Sequence, residues 1–365
     1  MIKIRLAAII CVLALAACRG EAGSIYLGSA NDAPELPSTI SDDMAPSPDG
    51  AAIRFVDVGP GLCVVGRLPG GHDFLYDAGH WVGSNCLAAV RELVTDGLIE
   101  LVVISHSDAD HIGELDDILA EFDAGMILHT GYERDTTSWQ NAEAAIQAQE
   151  ARGATIINLA DTPLVPGEVF GLGQAQAVFI AGWPEWDESY SDPGFIPEAA
   201  ERRNVISIVM RIEFAGRRLL LTGDTIGRRL DDVPGACRDA QAVMVGRHPA
   251  ISLDADILLS AHHGGDNGDA ACFIEAVSPQ DVIISAGHAH RHPRLSTIER
   301  YLAAGIDVDR IYRMDRGDDE GAGEWDTGRI PGCSDSRGDD TLDISIPADP
   351  NQTISIAYVD PVPAC

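Results

Sequence analysis

Ser105-His106-Ser107-Asp108-Ala109-Asp110-His111 gathers two imidazoles and two carboxylates within six residues. Imidazole nitrogen and carboxylate oxygen together suit Zn²⁺, Mn²⁺ or iron. The cluster follows the apolar run Leu101–Ile104. A loop at a strand end can turn all four groups inward, which a regular helix or strand cannot. A lone carboxylate, Asp224, ends another apolar run in Leu220-Leu221-Thr222-Gly223-Asp224, a Gly-Asp turn expected to open on a cleft. Ser260-Ala261-His262-His263-Gly264-Gly265 and Ser285-Ala286-Gly287, with His292-Pro293 just beyond, close two further apolar runs. Arginines flank these loops: residues 202–229 hold Arg202, Arg203, Arg211, Arg217, Arg218, Arg228 and Arg229 against only Glu213 and Asp224. His288, His290, Arg291, His292 and Arg294 form a second basic group. Guanidinium forks bind phosphate oxygens bidentately; the competing reading is scattered surface arginine in a chain whose basic residues are almost all Arg.

These groups need a scaffold that brings several strand ends together. Ile53–Val58, Leu62–Leu68 and Phe74–Asp77, separated by Gly- and Pro-containing turns, read as the antiparallel start of a sheet. Strands are also expected at Leu101–Ser105, Ile206–Phe214, Arg218–Thr222, Ile257–Ser260 and Val282–Ser285. Helical periodicity marks Leu87–Asp96, Ile112–Phe122, Asn141–Arg152 and Ser296–Ala304. Residues 183–203 read as a long loop whose Trp183, Trp186, Tyr190 and Phe195 could wall a substrate, and Asp315–Asp340 reads as Gly- and Asp-rich loop. Two similar halves of strands and helices suggest two sheets between helix layers.

The loop cluster resembles the H-x-H-x-D-H motif of the metallo-β-lactamase fold, and most of all the H-x-D-x-D-H variant of the ComEC/Rec2-type metallohydrolase domain. Six further motifs stand in the same order. Phe55–Gly61 is similar to the opening D-V-G-x-G, Leu75–Gly79 to I-D-x-G, Arg203–Ser207 to N-x-x-S and Leu220–Asp224 to L-L-T-G-D. Ser260–Gly265 resembles H-H-G-S, and Ser285…Pro293 resembles S-x-G…H-P. The resemblance covers residues 52–315. It implies an α+β fold, the four-layer αββα sandwich, with two divalent ions, Zn²⁺ or Mn²⁺, between the sheets. Carried over by position, His106 and Asp108 hold the first ion, Asp110, His111 and His262 the second, and Asp224 bridges them. Neighbours on a strand end point to opposite faces, so only one of His262 and His263 is expected to ligate, and His262 is the one chosen. Asp110, Asp224 and His292 are the expected catalytic groups, with His292 donating a proton to the leaving oxygen. Asp77, Asn204, Ser207, His263 and Arg203 are expected to orient ligands or touch substrate. Two departures stand out: Asn204 occupies the place of a third His ligand in much of the fold, and Gly265 replaces the Ser after H-H-G. An amide binds more weakly than imidazole, which makes Mn²⁺ as plausible as Zn²⁺ at the first position.

With 25 basic and 57 acidic residues the 365-residue chain carries a formal charge of −32, a poor match for long duplex nucleic acid or an anionic membrane surface. Met1–Ala17 reads as a signal peptide, and Leu15-Ala16-Ala17-Cys18 resembles a bacterial lipobox that would lipidate Cys18. The expectation is therefore a signal at 1–17, a Pro/Ser/Asp-rich tether at 18–50, a hydrolase domain at 51–315, and an acidic extension at 316–365 packed on it. Export, with a lipid anchor favouring the outer membrane, leaves Cys63, Cys86, Cys237, Cys272, Cys333 and Cys365 for up to three disulfides; Cys333 with Cys365 is the pairing expected to pin the tail. The function expected is phosphodiester hydrolysis by a water activated between two metals, on a phosphoester or single-stranded nucleic acid, by a monomer. The alternatives are a small exported ester, lactone or choline phosphoester, or a non-catalytic surface lipoprotein that keeps its metal site.

Overall fold

The computed structural model describes residues 49–186, 198–287, 290–315, 323–325 and 340–359. The signal, the tether up to residue 48, Cys18, Tyr190, Phe195, His288, Cys333 and Cys365 lie outside them. Strands β1 (Ala51–Phe55), β2 (Cys63–Leu68), β3 (His72–Ala78), β4 (Leu98–Ile104), β5 (Asp123–His129) and β6 (Thr155–Asn158) form one sheet, extended beyond β1 by two late strands. The second sheet contains β7 (Val169–Leu172), β8 (Ala175–Ala181), β9 (Val209–Phe214), β10 (Arg217–Leu221), β11 (Ile257–Leu259), β12 (Asp281–Ile284) and β13 (Ile311–Arg313). The late strands are β14 (Leu342–Ile346), antiparallel to β1, and β15 (Ser355–Tyr358), antiparallel to β14. The 316–365 segment thus completes the first sheet rather than only resting on it.

Alternation along each strand builds the layers. Val64, Tyr76 and Val103 face Phe179, Met210, Leu219, Leu221, Ile257 and Ile283 of the other sheet. Their neighbours Val65, Leu75 and Val102 face the helices α1 (Asn85–Leu93), α2 (Ala109–Ile112), α3 (Leu115–Glu121) and α4 (Thr137–Arg152). Val209, Leu220, Leu258 and Val282 likewise pack on α5 (Ala199–Val205), α6 (Asp239–Arg247), α7 (Ala271–Val277) and α8 (Leu295–Ala303). The result is the expected αββα order. The loop expected over 183–203 is corrected in two respects. Residues 199–205 are helical, and Trp183 and Trp186 pack into the second sheet's helix-side core, where burial of aromatic surface outweighs presenting a wall to a substrate.

Both sheets change from antiparallel to parallel pairing partway across: β3, β4, β5 and β6 run parallel, as do β10, β11, β12 and β13. The carboxyl ends of those parallel strands open on one crevice, where such sheets usually bind ligands. Two bonds lock the sheets together there: Tyr76 Oη donates to Ile208 O at 2.6 Å, and Ile208 N donates to Ser105 O at 2.9 Å. Two disulfides add local ties, Cys63–Cys86 between β2 and α1 and Cys237–Cys272 between the loop after β10 and α7.

One buried carboxylate in this frame opposes folding. Asp73 on β3 has no solvent exposure, and neither carboxylate oxygen has a hydrogen-bond partner; the nearest cation, Arg67 Nη1, is 3.8 Å away. Burial pushes its carboxyl up to about 7, with Glu100 and Asp96 adding to the rise and Arg67 opposing it. The unfolded chain releases this proton near pH 4 while the folded chain keeps it to about 7. The charge-linked part of the Asp73 cost is therefore nearly absent at pH 4, grows with each pH step, and is complete above 7. Asp73→Asn is expected to leave stability at pH 4 unchanged and to add about 1–3 kcal/mol at pH 8, the usual penalty for an unsatisfied buried group. Urea unfolding at both pH values measures this; an equal change at both would refute the titration account.

Candidate metal centre

His106 stands two residues past the end of β4, and Ser105, the residue between them, sets its polarity. Ser105 Oγ donates to Asp77 Oδ2 at 2.6 Å, so it accepts from His106 Nδ1 at 3.0 Å and leaves His106 Nε2 bare. His111, in α2, donates Nδ1–H to Asp77 Oδ2 at 2.7 Å. His263 donates Nδ1–H to Ser285 O, also at 2.7 Å. In all three imidazoles Nδ1 is engaged elsewhere and Nε2 is the nitrogen turned toward the centre, the atom a metal would take.

These nitrogens converge on Asp224. Its Oδ1 lies 3.3 Å from His111 Nε2, and its Oδ2 lies 3.9 Å from His106 Nε2 and 3.6 Å from His263 Nε2. Asp110 Oδ2 is 3.7 Å from His263 Nε2. Among the described residues, two groups bring their ligand atoms within 4.8 Å of one another: His106, His111 and Asp224, and Asp110, His111 and His263. Tight backbone geometry makes the approach. Gly223 has φ 52°, and a Cβ there would fall 2.8 Å from Ser105 Cβ. Ser207 Oγ accepts from Asp224 N at 3.2 Å and sits 3.4 Å from His106 Nδ1. Asp77, His262 and His263 are non-glycine residues in the left-handed region, with φ of 58°, 52° and 54°, the kind of backbone strain that collects at working sites.

The residues fit a divalent cation. Burial would raise the Asp224 carboxyl, but His111, His263 and His262 hold it well below the usual carboxylate range. Burial disfavours charge on His111, yet Asp224, Asp77 and Asp110 raise it well above the ordinary imidazole value. Burial keeps His106 and His263 low, with His111 adding to both. The pocket therefore stabilises positive charge at its centre while two of its imidazoles stay neutral. Two buried atoms there, His106 Nε2 and Asn204 Oδ1, have no hydrogen-bond partner, a costly arrangement unless something else is bound.

Three placements differ from the sequence reading. His263, not His262, joins the Asp110 and His111 group. Both histidines lie in a 3-10 turn, Ala261–Gly264, rather than on a strand end, so alternation does not separate them. The His262 Nε2 atom already accepts Asn204 Nδ2 at 3.0 Å, while its Nδ1 donates to Asn267 Oδ1 at 2.7 Å. Asp108 joins neither ligand group, and cations engage it instead. Its Oδ1 accepts from Arg203 Nε and from Arg134 Nη1 at 2.7 Å, and its Oδ2 is 3.9 Å from His106 Nε2. Burial would raise the Asp108 carboxyl; His106, Arg203 and Arg134 outweigh it and keep it low. Finally, the arginine cluster disperses. Arg203 reaches this site, but Arg211 pairs with Glu213, Arg217 with Asp256, and Arg229 with Asp239, because alternate strand residues and turns point them elsewhere.

His292 lies beside the centre, its ring 6.1 Å from that of His262 and outside both ligand groups. Burial, then His263, His262, Arg294 and His290, pushes it down to about 2, so it is neutral near pH 7 and not a cationic acid there. Arg134 and Asn267 carry no motif, and sequence reasoning missed them; Ser285 stood in the S-x-G motif, but its carbonyl was not foreseen as the partner of His263. Ser105 had a signal, as the residue between an apolar strand and the first ligand.

Competence protein ComA of Neisseria gonorrhoeae is 26% identical over 273 residues, 73% of this chain and 31% of that protein. ComE operon protein 3 of Bacillus subtilis (strain 168) is 24% identical over 221 residues, 60% of this chain and 24% of that one. The chain thus spans a third or less of the length of these curated relatives. The crystal structure of the metallo-beta-lactamase fold protein YhfI from Bacillus subtilis aligns over 73% of this chain and 96% of its own, with 14% identity and a TM-score of 0.43. The model of the Metallo-beta-lactamase superfamily matches residues 56–288, well over half of the chain, and the chain belongs to that superfamily.

Proposed function

We propose that the protein is an exported phosphodiesterase that works with two divalent ions. The observation that carries this reading is the convergence of three inward-turned Nε2 atoms, from His106, His111 and His263, on the carboxylates of Asp110 and Asp224. Divalent ions held there would supply Lewis acidity to the scissile group and to the attacking water. The chain's own residues do the rest. Asp77 and Ser285 O hold His111 and His263 with Nε2 inward, and Ser207 fixes the Asp224 backbone. Arg203 and Arg134 place two guanidinium groups beside Asp108 at the edge of the centre, which supports an anionic substrate. The likeness to competence proteins supports a nucleic-acid phosphodiester. Two disulfides support an oxidising compartment, and recovery of the chain in the cytoplasm would sink the export part of the reading.

Metal-stripped protein is expected to be inactive on bis-p-nitrophenyl phosphate and on single-stranded DNA, and to regain cleavage with Mn²⁺ or Zn²⁺. Cleavage of DNA but not of small phosphoesters would identify a nuclease; the reverse would identify a small-molecule phosphodiesterase. Equal activity of stripped and reloaded protein would overturn metal dependence.

A further inference from the structure

We propose that Asn204 gives its side-chain oxygen to the ion held by His106 and Asp224, and that His262 and Asn267 are positioning residues that keep this oxygen turned inward. The proposal rests on the reading of the centre as a metal site. Asn204 is the penultimate residue of α5, is 5% exposed, and its Oδ1 is buried without a partner. A relay sets its orientation. His262 donates Nδ1–H to Asn267 Oδ1 at 2.7 Å, so its Nε2 accepts from Asn204 Nδ2 at 3.0 Å. With its NH₂ group so engaged, the amide turns its oxygen the other way. The surroundings link it to the ligands: Asn204 O accepts from Ser207 N at 3.0 Å, and Ser207 Oγ contacts both Asp224 N and His106 Nδ1. His262 Nε2 itself is 3.9 Å from Asp224 Oδ2.

This arrangement gives His262 a role other than ligation and accounts for both orphaned atoms at once. It also sets the chemistry of that position. An amide oxygen is a harder donor than imidazole, so one imidazole, one amide and a carboxylate favour Mn²⁺ more than a set of three imidazoles does. The other ion, on Asp110, His111 and His263, keeps two imidazoles.

Titrating the stripped full-length chain with Mn²⁺ and with Zn²⁺, by calorimetry and Mn²⁺ electron paramagnetic resonance, tests this without any substrate. Wild type is expected to take two ions. Asn204→Ala is expected to weaken one of them by about ten- to a hundredfold and spare the other. Asn267→Ala, which removes no ligand, is expected to weaken the same ion by a smaller factor. Asn204→His is expected to raise the preference of that position for Zn²⁺ over Mn²⁺ by about tenfold, and Asn204→Asp, which keeps an oxygen in the same volume, to retain both ions. One ion in wild type, unchanged binding in Asn204→Ala, or no Zn²⁺/Mn²⁺ shift in Asn204→His would overturn the proposal. Normal titrations in a protein that cleaves no phosphodiester would instead leave this proposal standing and remove the substrate reading.

Discussion

Asp224→Ala is expected to lower kcat/KM on bis-p-nitrophenyl phosphate by at least about a thousandfold, the scale seen when a group that stabilises developing charge is removed. Asp224 is the one carboxylate within 4 Å of the Nε2 atoms of His106, His111 and His263 together. It is nearly buried, and its ionised form is favoured by those same imidazoles. Alanine removes both oxygens and leaves His106, His111 and His263 facing one another without the carboxylate, so metal content should fall in parallel with activity. The backbone contact is spared, because Ser207 Oγ bonds Asp224 N rather than its side chain. A thermal melt near that of wild type would confirm that the fold persists. Activity within about tenfold of wild type would show that the chemistry lies elsewhere, since the carboxylate at the focus of three imidazoles would not be that dispensable.

The layers and most ligand loops were legible in the sequence because each loop interrupts an apolar run with polar groups. Leu101–Ile104 before His106 and Leu219–Leu221 before Asp224 needed burial on both faces, and their ends needed a polar destination. The late strand Leu342–Ile346 carries a clear alternation, with Leu342, Ile344 and Ile346 buried and Asp343 and Ser345 half-exposed. It was passed over because it follows a Gly- and Asp-rich stretch whose composition reads as loop. The choice between His262 and His263 was illegible for a different reason. It depends on two consecutive non-glycine residues at positive φ, which side-chain type does not announce. The Asp108 pairing was hidden by distance along the chain: Arg134 and Arg203 lie on a loop after β5 and on α5, and no local pattern joins them to the loop at 106–111. Motif position alone reads Asp108 as a ligand equal to Asp110; charge pairing separates them.

Asp77→Asn is expected to weaken metal binding by about a hundredfold although it changes no ligand. Asp77 accepts three hydrogen bonds: Ser105 N at 2.7 Å on Oδ1, and on Oδ2 Ser105 Oγ at 2.6 Å and His111 Nδ1 at 2.7 Å. Asparagine has nearly the same shape and also tolerates the left-handed backbone that φ 58° requires, so backbone strain is not the variable. The change is in polarity. An amide keeps one acceptor oxygen, and if that oxygen stays on Ser105 N, the NH₂ group faces Ser105 Oγ and His111 Nδ1. Donation to Nδ1 would move the imidazole proton of His111 to Nε2, the atom aimed at Asp224 and His263. A protonated Nε2 cannot ligate. The Ser105 hydroxyl would also lose its acceptor, which frees it to donate to His106 Nδ1 and to move that proton to Nε2 as well. One substitution outside both ligand groups thus unsettles the tautomers of two ligand imidazoles. Zn²⁺ or Mn²⁺ titration of the stripped variant measures the effect, and nitrogen-15 chemical shifts of the two imidazoles report the tautomers. Wild-type affinity with Nε2 still unprotonated would show that Asp77 only fills space.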